Sequence, residues 1–576
     1  MVNDALRKPV IVILGGGFAG VFAAKSLKRR LGWDAEIELI NDANYFVFQP
    51  LLPGVAGGGI TSSDAVTPLR AMLKDIHIRM AEVFDIDLAA KEIIVVQGTK
   101  RRLIPLAYDH LVIALGQKVD LSRVPGLAEH AFTMKNLGDA HRLRNHVIDC
   151  LEHADVTQDP KLKRELLTFV VAGAGFSGVE TVGEMKDLID RSLKFYPNIE
   201  REEIRVLLIE FSDRILQQLP PDLAEYASQQ LRKRGIEILL ETEICSATGS
   251  SIETTDDRIF GTKTIVATIG NTPHPLVMSL DDLPKDKGKI AVDRFLRVSG
   301  VDSVWAIGDL ALIPLVEEPE EYEQFAPPTA QFAVREGGCV ARNIARTILG
   351  GDLIPFSYES KGAMASLGGR RAVAQVYGIR MSGMLAWFLW RAFYLSFLPG
   401  GITRVRVLVN WIMDAVLPRN TVQVQQAESQ STRYVHFRKG DEVFEPGMLA
   451  DGFYVVLSGS FELKIEDPSA EEPVIRTLGP GDHFGERVIF GDGLRTGSVR
   501  ALDASLALVV NREDFERFAG AFKVLGDYFS DYIPKTFPIS IHDAGNEPTS
   551  ESTPTGKGSP IPRWRKPRPG NAAPRQ

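Results

Sequence analysis

Gly15, Gly17 and Gly20 follow an apolar run in Val10 to Gly20, VIVILGGGFAG, and Gly173, Gly175 and Gly178 follow another in Phe169 to Glu180, FVVAGAGFSGVE. Glycines at this spacing after a strand let backbone N–H groups approach a pyrophosphate, and the next helix aims its positive end at it. One such motif is weak, but two on one chain predict two dinucleotide sites. Asn41-Asp42 ends the second predicted strand, AEIELI, where this fold places the acceptor for ribose hydroxyls. The residues leave open which of the two accepts, and whether Asp42 only opens a turn. Glu210 ends the strand Ile204 to Ile209 in the corresponding place. A carboxylate there repels a 2′-phosphate and predicts NADH over NADPH, with Arg214 nearby as a contrary sign. Gly116 and Gly270 end the apolar strands LVIALG and TIVATIG. Gly308-Asp309 ends VWAIGDL, where the aspartate reads equally well as a helix cap.

The elements that must position these residues follow from periodicity. Each motif predicts a buried strand, a turn and a helix, the first helix starting near Phe18 and running to Leu31. Between them, Asn44 to Gly59, NYFVFQPLLPGVAGGG, is apolar, ends in glycines and is too short and interrupted to predict a buried helix; such a loop suits close passage along a flat ring system. A chain of 576 residues with 44% hydrophobic content predicts several domains, and a net charge of −8 excludes nucleic acid as the main partner. Cys150, Cys245 and Cys339 lie far apart, which excludes a local redox disulfide and predicts a reducing compartment. No signal segment precedes the first strand. No metal-ligand cluster is expected.

With these pieces in order, the first part of the chain resembles the two-dinucleotide-binding flavoproteins, and among them the type II NADH:quinone oxidoreductases. The motifs that carry the resemblance are GGGFAG, NYFVFQPLLPGVAGGG, GAGFSGVE, VWAIGDLA and APPTAQFAVREGG. It implies FAD on the first unit, with Gln49 among its contacts and Asp309 at the ribityl-phosphate region, and NADH on the second. It implies a hydride passing from NADH to FAD and two electrons passing on to a membrane quinone. Glu180 matches the carboxylate near the nicotinamide and flavin; from the residues alone the alternative is a first-turn glutamate favoured by the helix dipole. Gln331, in Ala330-Gln331-Phe332-Ala333, matches the start of the quinone-site motif, but Arg335 replaces its second glutamine. The missing CxxC pair separates the chain from the disulfide reductases of the same superfamily. Two other readings stay open: a related FAD and NADH reductase with another electron acceptor, and a non-catalytic nucleotide-sensing scaffold.

Gly383 to Leu398, GMLAWFLWRAFYLSFL, is apolar but short and carries Arg391, so it does not predict a bilayer span. Ile402, Val405, Val409, Ile412, Met413 and Val416 then share one helical face, with Arg406, Asn410 and Asp414 on the other. Trp387, Trp390, Tyr394 and Trp411 with Arg391, Arg404 and Arg406 suit an interfacial anchor, and burial against the body or in a dimer seam is the alternative. The expected partners are therefore a membrane quinone and the bilayer surface at the cytoplasmic face of the cell membrane, with a homodimer by analogy.

From Val435 onward, short alternating strands separated by glycine turns resemble the β-roll of cyclic nucleotide-binding domains. Gly485, Glu486, Arg495 and Thr496 match its phosphate cassette: amides around Gly485 and the Arg495 fork for the cyclic phosphate, and Glu486 for the ribose 2′-hydroxyl. Thr496 leaves cAMP against cGMP open. The expected organisation is multidomain α/β with two Rossmann-like units, an amphipathic helical membrane-association segment and a C-terminal β-roll. In sequence order this gives an FAD-binding part (1–120), a connecting segment (121–164), an NADH-binding domain (165–285), the returning FAD-binding part (286–350) and the membrane-association region (351–420). A linker (421–432), the cyclic nucleotide-binding-like domain (433–533) and a disordered tail (534–576) complete it.

Overall fold

The computed structural model describes residues 7–98, 102–286, 288–399, 401–416, 419, 422, 432–446, 448, 452–465, 473–485 and 495–511. The chain enters through β1 (Val10–Leu14), α1 (Phe18–Leu31), β2 (Glu36–Asn41), α2 (Leu52–Ala56), β3 (His77–Met80) and β4 (His110–Ile113). Ile11 to Leu14 are essentially inaccessible, as expected of a parallel strand covered on both faces. β1 lies between β2 and β4, so the strand order reverses beside it and opens a crevice at its carboxyl end.

The chain then leaves through β5 (Gln117–Val119), α3 (Leu127–His130) and β6 (Ala131–Phe132) to build the same device again. This second sheet has β7 (Thr168–Ala172) between β8 (Arg205–Ile209) and β10 (Thr264–Ala267), with β9 (Ile236–Leu239) outside β8 and β6 outside β10. The glycine motif after β7 opens α4 (Phe176–Ser192). The chain returns along β11 (Asn271–Pro273), antiparallel to β5, so a two-stranded ribbon ties the halves together. β12 (Val304–Ala306) then joins β4 and completes the first sheet.

α5 (Ala330–Leu349) packs on α1. A Cβ at Gly337 would stand 2.6 Å from the Ala19 carbonyl, so only glycine allows that approach. A three-stranded sheet of β13 (Gly362–Ser366), β14 (Ala372–Val376) and β15 (Ile379–Ser382) leads into α6 (Gly383–Phe397) and α7 (Gly401–Val416). Among the described residues no helix is long and apolar enough to cross a membrane. The C-terminal module forms two four-stranded antiparallel sheets around Phe461, Phe484, Val499 and Val509.

Two expectations need correction. Leu52 to Ala56, within the segment read as a loop, is a buried helical turn, because Pro53 suits a first turn and Leu51, Leu52 and Val55 enter the core. Trp390 and Trp411 are not interfacial anchors: both are buried against the body, their rings 6.3 Å apart. The Arg391 guanidinium stacks over Trp387 at 3.9 Å and Trp411 at 4.8 Å. The exposed large hydrophobic residues of the pair are instead Met384, Leu385, Phe388, Ile402, Val405, Leu408, Val409, Ile412 and Met413.

Candidate functional site

The two glycine turns have the same geometry. Gly15 adopts φ +105° and Gly173 φ +94°, a region open chiefly to glycine. A Cβ on Gly20 would lie 2.0 Å from the Gly15 carbonyl, and one on Gly178 would lie 1.8 Å from the Gly173 carbonyl. The outer glycines thus make the tight turn and the close helix approach. The middle glycines do neither, since a Cβ on Gly17 or Gly175 meets nothing within 4 Å. Their missing side chains leave room for something outside the protein.

That room is real in the first half. A cavity of about 1260 Å³ is lined by Gly15, Gly17, Asn41, Asp42, Gln49, Gly116, Gly308 and Asp309, the residues the sequence marks for the first dinucleotide apart from Gly20, which packs behind. Asn41 Oδ1 accepts from Gly16 N–H at 2.7 Å and its amide donates to the Ala43 carbonyl, so Asn41 braces the turn while exposed Asp42 faces the cavity. Gln49 Nε2 donates to the Lys135 carbonyl at 3.5 Å. Lys135 also lines the cavity and, with Lys289, offsets the burial that raises the Asp309 pKa. A cleft of this volume with an open phosphate turn, a cation and acceptors fits FAD.

Glu336 is a candidate supporting residue that the sequence did not single out. It is buried, and its Oε2 accepts from Gly308 N–H at 2.7 Å, fixing the turn that presents Asp309. Burial pushes its pKa up to about 8. The signal was there: Glu336 falls on the apolar stripe with Phe332, Ala333 and Val340, where a carboxylate needs a reason.

In the second half Glu210 is buried and accepts from Ala174 N–H at 2.6 Å and Ser212 N–H at 3.1 Å. It braces the second turn as Asn41 braces the first, and a carboxylate has lone pairs left for a ribose. Arg214 donates to the Gln217 carbonyl, closing its own loop. Gly270 has φ +78° and receives Asp120 N–H at 2.8 Å where the ribbon meets the second sheet. Since Gly175 has ordinary extended angles, φ −70° and ψ −172°, Gly175→Val is expected to fold and keep flavin while its KM for NADH rises at least about tenfold. Steady-state kinetics with NADH varied checks it.

Glu180 is not the first-turn glutamate expected: α4 begins at Phe176 and has no acidic residue in its first turn, so Glu180 opens the second turn, where it is buried. Its Oε1 accepts from Ser366 N–H of β13 and from Trp390 Nε1–H of α6, both at 2.9 Å. Burial outweighs those donors and pushes its pKa up to about 8, and because Oε1 accepts both bonds, Oε2 is the oxygen left free to carry a proton. Gln331 is held elsewhere: its amide N–H donates to the Gly362 carbonyl at 2.9 Å and its oxygen accepts from the Tyr358 hydroxyl at 3.1 Å. The Arg335 guanidinium lies over the Tyr358 ring at 4.8 Å.

The helix pair is built with its polar face inward. Arg406 and Asn410 both bond the buried Asp64, the former at 2.7 Å, and Asp414 takes Arg191 at 2.9 Å and Arg419 at 3.1 Å. Its outward face carries Ile402, 80% exposed, with Val405, Val409, Ile412 and Met413. Met384, Leu385 and Phe388 extend it on α6.

In the C-terminal module Arg495 is buried, donates to the carbonyls of Gly452 at 2.8 Å and Gly485 at 3.2 Å, and lies 4.0 Å over the Phe444 ring. Thr496 beside it is exposed. Glu486 and the cassette helix lie outside the described residues, as do residues 534–576 and most of 421–432. The module rests on the second half: His436 N–H donates to His130 Nε2 at 3.2 Å, and Arg438 donates to Ser246 at 3.3 Å. His130 accepts there as a neutral ring, in keeping with a pKa that burial lowers to about 4.

Two matched dinucleotide turns on ribbon-linked sheets, without a neighbouring cysteine pair, define a pyridine nucleotide oxidoreductase of the flavoprotein class. Residues 9–337 match the pyridine nucleotide-disulphide oxidoreductase family, 360–420 the NDH2 C-terminal domain and 434–521 the cyclic nucleotide-binding domain. The chain is 30% identical over 439 residues to the type II NADH:quinone oxidoreductase Ndh of Mycobacterium tuberculosis, covering 73% of this chain and 92% of the relative. It is 30% identical over 390 residues to the type II NADH:quinone oxidoreductase of Staphylococcus aureus, covering 66% and 93%. In fold it is similar to NDH2 of Plasmodium falciparum solved with NADH, with a TM-score of 0.67 and 20% identity over 72% of this chain and all of the other. The chain belongs to the type II NADH:quinone oxidoreductases. The scaffold reading is set aside with that membership.

Proposed function

We propose that the chain oxidises NADH at the second glycine turn and reduces a quinone at a membrane surface, with FAD held in the first cleft. When bound, FAD supplies the two-electron relay between nicotinamide and quinone, and the protein supplies position and charge. Gly15 to Gly20, Asp42, Gln49 and Asp309 would hold it, with Asn41 and Glu336 stiffening the two turns. Gly173 to Gly178 and Glu210 would hold NADH. Quinone reduction by NADH consumes a proton from outside the hydride, and Glu180 keeps one on Oε2 at neutral pH.

One observation carries this reading. The helix that opens on the nicotinamide-nucleotide turn holds Glu180, and that carboxyl is bonded to a helix whose outer face is apolar and exposed. A cofactor turn, an acid and an apolar face thus converge on one side chain. An amphipathic helix that pins its polar face to the body and turns its aliphatic face outward suits a headgroup boundary, where a lipid-soluble quinone would enter. We place it on the cytoplasmic face, where NADH is available. Ile402→Asp with Val405→Asp is expected to abolish co-sedimentation with anionic phospholipid vesicles and leave turnover with a short-chain quinone within about twofold of the parent. Loss of both activities together would argue that these residues pack inside the enzyme.

The C-terminal module is proposed to regulate the same enzyme by binding a cyclic nucleotide at Gly485, Glu486, Arg495 and Thr496. Because it rests on the NADH half, an effect of the ligand should fall on the KM for NADH. NADH oxidation by flavin-loaded protein with a short-chain quinone, with and without saturating cAMP or cGMP, tests both parts. A response lost in Arg495→Ala supports the assigned pocket. Indifference to both nucleotides would favour a structural module in which the two carbonyls satisfy Arg495.

A further inference from the structure

Among the described residues Glu180 accepts two hydrogen bonds, both on Oε1, from a backbone amide that no substitution removes and from a single side chain, Trp390. Trp390 is buried on α6 and is itself held by aromatic packing, its ring 4.8 Å from Tyr394 at 70° and 6.3 Å from Trp411. Tyr394 in turn meets Phe48 edge-on at 5.9 Å, beside the FAD cleft segment. An indole fixed in this way can donate in only one direction, and it donates to Glu180. Nothing in the sequence suggested this, because Trp390 lies 210 positions away and reads as one aromatic of an apolar helix.

We propose that Trp390 is a positioning residue for the Glu180 carboxyl: its indole N–H fixes which oxygen faces the protein and so leaves Oε2 to carry the exchangeable proton. A neutral donor on a carboxylate stabilises the ionised form. Trp390 therefore limits how strongly burial holds the proton and keeps the group releasable near neutral pH. Other groups around it are Glu184 one turn along α4 and Tyr394 on α6, while Arg391 faces Glu184 instead. Arg419 and Asp414 face Glu184 and form a separate network. Among the described residues none of them donates a hydrogen bond to Glu180 in place of the indole.

The inference rests on Glu180 acting as the proton-holding group, so the test must read the carboxyl apart from turnover. In the flavin-loaded full chain, the protonated-carboxyl infrared band that disappears in Glu180→Gln is titrated in parent, Trp390→Phe and Trp411→Phe proteins, beside the pH profile of kcat with a short-chain quinone. Trp390→Phe removes the donor and should move the carboxyl midpoint up by about one pH unit, carrying the alkaline limb of kcat with it. Trp411→Phe thins the same cluster without touching Glu180 and should move neither. If Trp390→Phe does not fold, site-specific 3-benzothienylalanine at 390, which has the shape of tryptophan with sulfur in place of the N–H, should give the same shift. An unmoved midpoint in the donor-free protein, or an equal shift in Trp411→Phe, overturns the proposal. A moved midpoint with an unmoved kcat profile leaves the hydrogen bond in place and overturns instead the role given to Glu180.

Discussion

Gly17→Val is expected to purify folded and without flavin. Gly17 has φ −80° and ψ −169°, angles any residue adopts, and a Cβ there meets no protein atom within 4 Å. The valine side chain therefore enters only the cleft, where it stands against the pyrophosphate. A loss of at least about a thousandfold in FAD affinity, ~4 kcal/mol, follows from the clash and the lost amide contacts. The protein should melt with the flavin-free parent, because the variant loses only ligand stabilisation. Gly20→Ala provides the contrast. Its methyl would lie 2.0 Å from the Gly15 carbonyl, so α1 cannot stay packed on β1, and the expected result is failure to fold. Absorbance of bound flavin and thermal melts of both variants check the pair. A flavin-replete Gly17→Val would remove the first cleft as the FAD site.

The second large effect is expected at Glu180. With its pKa pushed up to about 8 by burial, Glu180 is protonated below that pH and ionised above it. If it releases a proton toward the quinone, kcat is full on the acid side and falls as pH rises through about 8. Glu180→Gln keeps a hydrogen-bonding group of the same size but no exchangeable acid. Its kcat is expected to drop about a hundredfold and to lose that limb, while the KM for NADH changes little. A stability measurement checks the cause independently. A carboxyl whose folded pKa is raised binds its proton more tightly in the folded state, so its cost is absent below the unfolded value near 4.5. The cost grows by about 1.4 kcal/mol per pH unit up to about 8. Glu180→Gln should therefore be more stable than the parent at pH 9, by a margin that shrinks with falling pH and is gone by about pH 3.5. A variant with the parental pH dependence in both measurements would reduce Glu180 to a buried structural carboxyl of α4.

Spacing within short segments determined much of this protein by itself. GGGFAG and GAGFSGVE define their turns through contacts between neighbours, Gly20 on Gly15 and Gly178 on Gly173, and local geometry is readable from local sequence. The same holds for the strands that become β1 and β7, whose apolar runs can be buried only between two layers. The apolar face of α7 was legible for the same reason, since helical period assigns faces. Which face looks outward was decided only in three dimensions, where the buried Asp64, far back in the chain, captures Arg406 and Asn410 and turns the polar side in. Tertiary structure also separated the tryptophans, sending Trp390 and Trp411 to the body where composition suggested a lipid boundary. It gave Asn41 to the glycine turn and Asp42 to the cleft, an ambiguity that adjacent residues could not resolve. It tied Glu180 to Ser366 and Trp390 and Gln331 to Gly362 and Tyr358. Turns and faces are set by residues a few positions apart, whereas the partners of a buried polar group come from wherever the chain closes around it, and no period in the sequence records that closure.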